Sequence, residues 1–115
     1  MTNLHIKRVY EPHVRGDGQR VLVDRMWPRG ISKEKLRNVI WLKDVAPSTE
    51  LREWFGHRPE RWKQFCTRYA KELDRNPDIV AKLRAMCARG TVTLLYSARD
   101  LDHNQALALA DYLRA

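Results

Sequence analysis

The sequence predicts an α/β fold: a single three-layer domain over residues 1–115, with a small, mainly parallel sheet of about four strands flanked by helices. Three observations predict it. Short apolar runs at Val21–Val23, Val39–Leu42 and Thr91–Tyr96 read as buried strands, the pattern of sheets covered on both faces. Long stretches with apolar residues at three- and four-residue spacing precede and follow the last run, and parallel neighbours need such helical crossovers. A length of 115 residues suits one domain and one core, without help from metals or disulfides.

Taken in order, Leu4–Tyr10 (LHIKRVY) alternates loosely and reads as a first strand. Glu11–Gln19 is punctuated by Pro12, Gly16 and Gly18 and reads as a loop. Arg20–Arg25 is the second strand. Ser32–Asn38 suits a short helix capped by Ser32 with Leu36 turned inward. Val39–Leu42 is a strand or a buried extended segment, and Pro47 then breaks the chain. Ser48 is an N-cap, with Glu50 in the first turn, for a helix through Leu51, Trp54 and Phe55 that stops near Gly56. Pro59 restarts helix at its first position, and Trp62, Phe65, Cys66, Tyr69 and Leu73 form its apolar stripe. Asn76 and Pro77 open the next helix, whose stripe is Ile79, Val80, Leu83, Met86 and Cys87 and whose C′ residue is Gly90. Thr91–Tyr96 is the clearest strand. Ser97–Asn104 is a polar loop, in which Asp100 or Asp102 is expected to cap a final helix with Ala106, Leu107, Leu109, Ala110 and Leu113 inside.

The composition excludes several classes. No apolar run approaches the roughly 20 residues of a membrane span, and the N-terminus has no signal-peptide pattern, so a cytoplasmic location is expected. Cys66 and Cys87 form no CxxC and are expected as free, buried thiols. His5, His13, His57 and His103 are scattered without HxH or HExxH spacing, so no metal is expected. Neither a GxxxxGK nor a GxGxxG motif is present, so none of the usual nucleotide cofactors is expected. The net charge is +8, and arginine outnumbers lysine about two to one. Arginine's planar fork matches carboxylates and phosphates, so the expected partner is anionic.

The stretch Val21–Lys33 (VLVDRMWPRGISK) concentrates the functional signal. A strand ends in Asp24-Arg25, a Trp27-Pro28-Arg29-Gly30 turn follows, and a helix start comes next. Open α/β sheets bind ligands outside the carboxyl ends of their strands. Three strand ends deliver charged pairs there: Asp24-Arg25, Lys43-Asp44 and Arg99-Asp100. Arg25, Arg29 and Arg99 are expected to grip an anion, Asp24 and Asp100 to orient those arginines, and Trp27 to wall the pocket. The alternative is that Arg99 and Asp100 simply pair with Asp24 and Arg25. Arg15, Lys43 and Asn104 complete the candidate binding set. Ser97, His103 and Asp100 are the candidate catalytic groups, although no GxSxG-type elbow surrounds Ser97.

The stretches VRGDGQRVLVDRMWPRGISKE, WLKDVAPSTELREWFGHRPERW and LLYSARDLDHNQA closely resemble the YeaO-like family of small bacterial and archaeal proteins, domain of unknown function number 488. The resemblance spans nearly the whole chain, in the family's order and spacing. It implies a three-layer α/β architecture and brings no reaction with it. Arg15, Asp24, Arg25, Trp27, Arg29, Lys43, Ser97, Arg99, Asp100, His103 and Asn104 fall on its motif positions, as do Pro28, Gly30 and Asp44.

The leading functional expectation is a pocket for a small phosphate- or carboxylate-bearing molecule, with binding and turnover both open. The alternatives are a nucleic-acid-binding module using the basic surface and a non-catalytic interaction subunit. For nucleic acid, the helix after Pro59 offers Arg61, Lys63, Arg68, Lys71 and Arg75, interrupted by Glu60, Glu72 and Asp74. No convincing helix-turn-helix is present.

Overall fold

The computed structural model describes residues 3–115. Four strands, β1 (Leu4–Arg8), β2 (Gln19–Leu22), β3 (Ile40–Trp41) and β4 (Val92–Tyr96), form one sheet in the order β1-β4-β2-β3. All pairings are parallel, with Ile6 and Val21 both opposite Leu94 and Ile40 opposite Val21. β4 is central and every one of its residues is buried, including Thr93, whose hydroxyl donates to the Asp17 carbonyl at 2.7 Å. Beyond β2, the Val23 N–H continues the ladder to the Leu95 carbonyl at 3.1 Å.

Period-two alternation sorts the strand side chains into two layers. Leu4, Val21, Val23, Val92, Leu94 and Tyr96 point into the larger apolar cluster. The helices α1 (Thr49–Phe55), α2 (Trp62–Asp74), α3 (Pro77–Arg89) and α4 (Gln105–Arg114) all contribute to that same cluster. Leu22 and Leu95 point the other way, into a small cluster with Val9, Ile31 and Leu36. That face is covered by connecting segments and single 3-10 turns, among them Arg15–Asp17 and Glu34–Leu36.

Local signals explain most boundaries. The Ser48 hydroxyl accepts the Leu51 N–H at 3.1 Å and opens α1, and Gly56 closes it with φ at 52°. Ser48 is itself held by Glu72 of α2, whose carboxylate accepts its N–H at 2.9 Å and its hydroxyl at 2.6 Å. Gly18 is required by its surroundings: φ is 63°, and a Cβ there would fall on the Thr91 carbonyl.

Four expectations need correction. The Ser32–Asn38 helix is a single 3-10 turn, because Leu36 is its one fully buried side chain and cannot anchor more. Gly90 ends α3 in extended backbone (φ 163°), so no left-handed C′ conformation is present. Asn104, and neither Asp100 nor Asp102, caps α4 by accepting the Leu107 N–H at 2.9 Å. Cys66 and Cys87 are free as expected but only half-buried.

Candidate functional site

The carboxyl ends of β2 and β4 open into a cavity of about 350 Å³. Three segments supply most of it. The residues after β2 supply Asp24 to Arg29, the end of α1 supplies Arg52, Glu53, Phe55 and His57, and the β4–α4 connection supplies Ser97, Ala98 and His103 to Gln105. Phe65 of α2 adds an aromatic surface.

Hydrogen bonds fix these segments. Arg25 turns across the strand ends, and its Nε and Nη2 donate to the carbonyls of Pro47 and Ala46 at 3.2 and 3.1 Å. It therefore holds the entry to α1, and through it the rim residues Arg52 and Glu53. Trp27 donates its indole N–H to the Ile31 carbonyl at 2.6 Å and meets Trp41 edge-on at 5.4 Å. Between them the Pro28–Ile31 turn carries Gly30 at φ 78°, and the Tyr10 hydroxyl donates to the Arg29 carbonyl at 2.9 Å. On the far side Arg8 of β1 donates to the carbonyls of Ser97 and Ala98 at 3.0 and 2.9 Å. The following turn is self-contained. Asp100 accepts the Asp102 N–H and the His103 Nδ1, each at 2.9 Å, and these contacts hold its carboxyl below the usual carboxylate range. Asn104 Nδ2 donates to the carbonyls of Asp100 and Leu101.

Asp24 is the chemically unusual member. It is 7% exposed, its carbonyl accepts the Trp41 indole N–H at 2.8 Å, and its Oδ1 accepts from Gln105 Nε2. Its Oδ2 is shielded from solvent and has no hydrogen-bond partner. Burial pushes its pKa up, against donors at Ser97 and Gln105 and the positive charge of Arg52, which favour ionisation. Ser97 lies close enough to ease that cost without meeting hydrogen-bond geometry at Oδ2.

Of the residues singled out from the sequence, Asp24, Arg25, Trp27, Arg29, Ser97, His103 and Asn104 line this cavity. Asp100 stands behind His103. Arg99 is exposed and does not line the cavity, and Lys43 lies over the Trp41 ring at 5.4 Å, outside it. Arg15 sits in the turn leading into β2, toward the amino end of the sheet. Arg25 has its guanidinium on backbone carbonyls, and Asp24 meets Gln105 where an arginine was expected. Among the described residues Asp24 and Arg25 form no ion pair with Arg99 and Asp100. No group of three or more His, Cys, Asp or Glu side chains among them gathers in a way that could hold a metal.

The family model described as the inactive DUF488-N3 subclade matches residues 3–115. The chain belongs to this subclade. It is 42% identical over 113 residues to the uncharacterized protein YeaO of Escherichia coli, covering 98% of each chain. It is 47% identical over 112 residues to an uncharacterized protein of Mycobacterium tuberculosis, covering 97% of this chain and 94% of that one. No solved structure matches.

For this DUF488 member the sequence reading missed Arg52, His57 and Gln105. Arg52 looked like one more exposed helix charge, and nothing local says that the end of α1 meets the end of β2. His57 carried a faint signal: it follows the helix-ending Gly56 and adopts φ 57°, a conformation that costs a non-glycine residue about 1 kcal/mol. Arg61 and Arg68, candidates for a basic nucleic-acid face, both lie against the Trp54 ring, at 4.9 and 4.1 Å. No helix among the described residues is long and apolar enough to cross a membrane.

Proposed function

We propose that the protein binds a small phosphate- or carboxylate-bearing molecule in the cavity at the strand ends, and does so without turning it over. The observation that carries this reading is the pair Arg29 and Arg52. Both line one cavity, both are exposed, and neither has an ion pair among the described residues. Arginines held at a concave site without a carboxylate partner offer their donors to an incoming anion. Trp27, Phe55 and Phe65 add the apolar wall typical of small-molecule sites. Binding without chemistry is favoured by the family's description as inactive.

Thermal denaturation against phosphate, sulfate, sugar phosphates, nucleotides, dicarboxylates and a short oligonucleotide, each at two salt concentrations, tests it. The expected result is a salt-resistant upward shift with at least one small anion, lost in Arg52→Ala or Arg29→Ala. An equal shift in both variants, or none in the wild type, refutes it. The net charge of +8 favours a second reading, nucleic-acid binding. A shift with the oligonucleotide alone, lost at higher salt, would support that instead.

A further inference from the structure

We propose that the anion held in this cavity is a phosphate monoester, and that His57 and His103 join Arg29 and Arg52 in holding it. The inference rests on the binding reading above and narrows its ligand to one class.

His57 carries the first observation. Its φ of 57° lies in the left-handed region, which disfavours any residue with a Cβ, and it directly follows Gly56 at φ 52°. Among the described residues it is the one non-glycine in that region. A glycine or an asparagine would make the same turn out of α1 more easily, so the turn does not account for the imidazole. Strained residues gather where ligands are clamped. Here the strained backbone sets an exposed imidazole on the cavity lining, just beyond the helix that carries Arg52.

His103 carries the second. Its Nδ1 meets the Asp100 carboxylate at 2.9 Å, and its ring crosses Trp62 at 81° with the centroids 5.4 Å apart. These contacts orient the ring on the lining and leave Nε2 as the nitrogen for a bound molecule. With Nδ1 on a carboxylate, Nε2 donates when the ring is charged and accepts when it is neutral. A phosphate monoester suits both states, because its second pKa of about 6 lets it accept or supply the shared proton. A carboxylate, with a pKa of about 4, suits only the charged ring at neutral pH.

The supply of donors selects the same class. Arg29, Arg52, His57 and His103 reach the cavity from three separate segments of the chain. A carboxylate offers two oxygens in one plane, whereas a phosphate monoester offers three around phosphorus and up to two charges. Of the acidic residues on the lining, Asp24 is buried and Glu53 is exposed, so the accessible charge is predominantly positive. The volume of about 350 Å³ leaves room for an organic body against Trp27 and Phe55.

Titration calorimetry at about pH 6.5 tests this with three probes that share one apolar body: phenyl phosphate, its diester methyl phenyl phosphate, and phenylacetate. Phenyl phosphate should bind wild-type protein about tenfold more tightly than either of the others, which leave charged donors unused. In His57→Asn and in His103→Gln that advantage should fall to about threefold or less. Asparagine tolerates the left-handed backbone, so the Tm of His57→Asn should match or exceed the wild type's. A clear fall would show that the imidazole serves the fold, and overturns its part in the site. Phenylacetate or the diester binding as tightly as phenyl phosphate overturns this inference and leaves the binding reading standing. An undiminished advantage in either variant also overturns it, by removing that histidine from the site. Silence from all three probes overturns this inference, and silence from the anion panel as well overturns the binding reading with it. The wild-type comparison needs no variant to fold.

Discussion

Replacing Asp24 by asparagine should make the protein more stable at neutral pH, an unusual outcome for a buried polar residue beside a central strand. The carboxamide fills the same volume and keeps an oxygen for Gln105 Nε2, so packing and one hydrogen bond survive. What disappears is the cost of an ionised carboxylate with one oxygen unpartnered, of the order of 1–3 kcal/mol. The new NH₂ group needs an acceptor near Ser97, which places the net gain at the lower end, about 1 kcal/mol. For a domain of this size that corresponds to roughly 4 °C in Tm. The pH dependence carries the sharper test. Burial raises the folded-state pKa of Asp24 above its unfolded value, so ionisation penalises the native state fully above the folded pKa. The penalty fades as pH falls through that raised value toward the unfolded value of 3.8. The gap between variant and wild type should therefore be widest at pH 7 and close toward pH 4, as read by paired denaturation curves across that range. A variant destabilised by more than about 1 kcal/mol at pH 7 would show that Asp24 anchors the fold, and would refute the reasoning.

The other expectations concern the framework around the cavity. Gly18→Ala should cost about 2–4 kcal/mol in chemical denaturation, since its Cβ meets the Thr91 backbone and its φ of 63° is unfavourable for alanine. Asn104→Ala removes the α4 cap and two donor bonds to Asp100 and Leu101, and should cost about 2 kcal/mol. Its signature would be faster amide exchange at Leu107 than in the wild type. Asp17 behaves oppositely to Asp24. Burial disfavours its ionised form, but the Val14 N–H and the Lys7 ammonium, at 3.1 and 3.0 Å, outweigh that and hold its pKa down. Its stabilising contribution is present above its unfolded value of 3.8 and is lost as pH falls through the lower folded value. Asp17→Asn should therefore be less stable at pH 7 and flatter in its response to acid below about pH 4.

Much of the fold was legible because its elements carry strong local signals. The run TVTLLY is central and buried on both faces, and Ser48, Gly56 and Pro77 sit at helix ends where capping chemistry predicts them. The site was legible as a place, and less so as a set of roles. Charged pairs at strand ends marked the right edge of the sheet. The sequence could not show that Arg25 reaches the backbone 21 and 22 residues onward, because that depends on where the entry to α1 docks. For the same reason Arg52 and His57 were invisible as cavity residues. The Ser32–Asn38 helix failed because one buried leucine cannot outweigh the cost of nucleating an α-helix.

The unequal covering of the two sheet faces has a consequence for how the molecule breathes. The helical side joins buried residues from all four helices into one cluster, whereas the opposite side rests on Val9, Leu22, Ile31, Leu36 and Leu95. Segments with few buried apolar contacts open at lower free energy than the global unfolding transition. The residues between β2 and β3 form such a segment, and Trp27 and Arg29 belong to it. The cavity's wall is thus expected to detach before its floor. Amides of residues 26–39 should exchange well before those of β4, and a molecule resting against Trp27 and Arg29 would slow the former while leaving the latter governed by global unfolding.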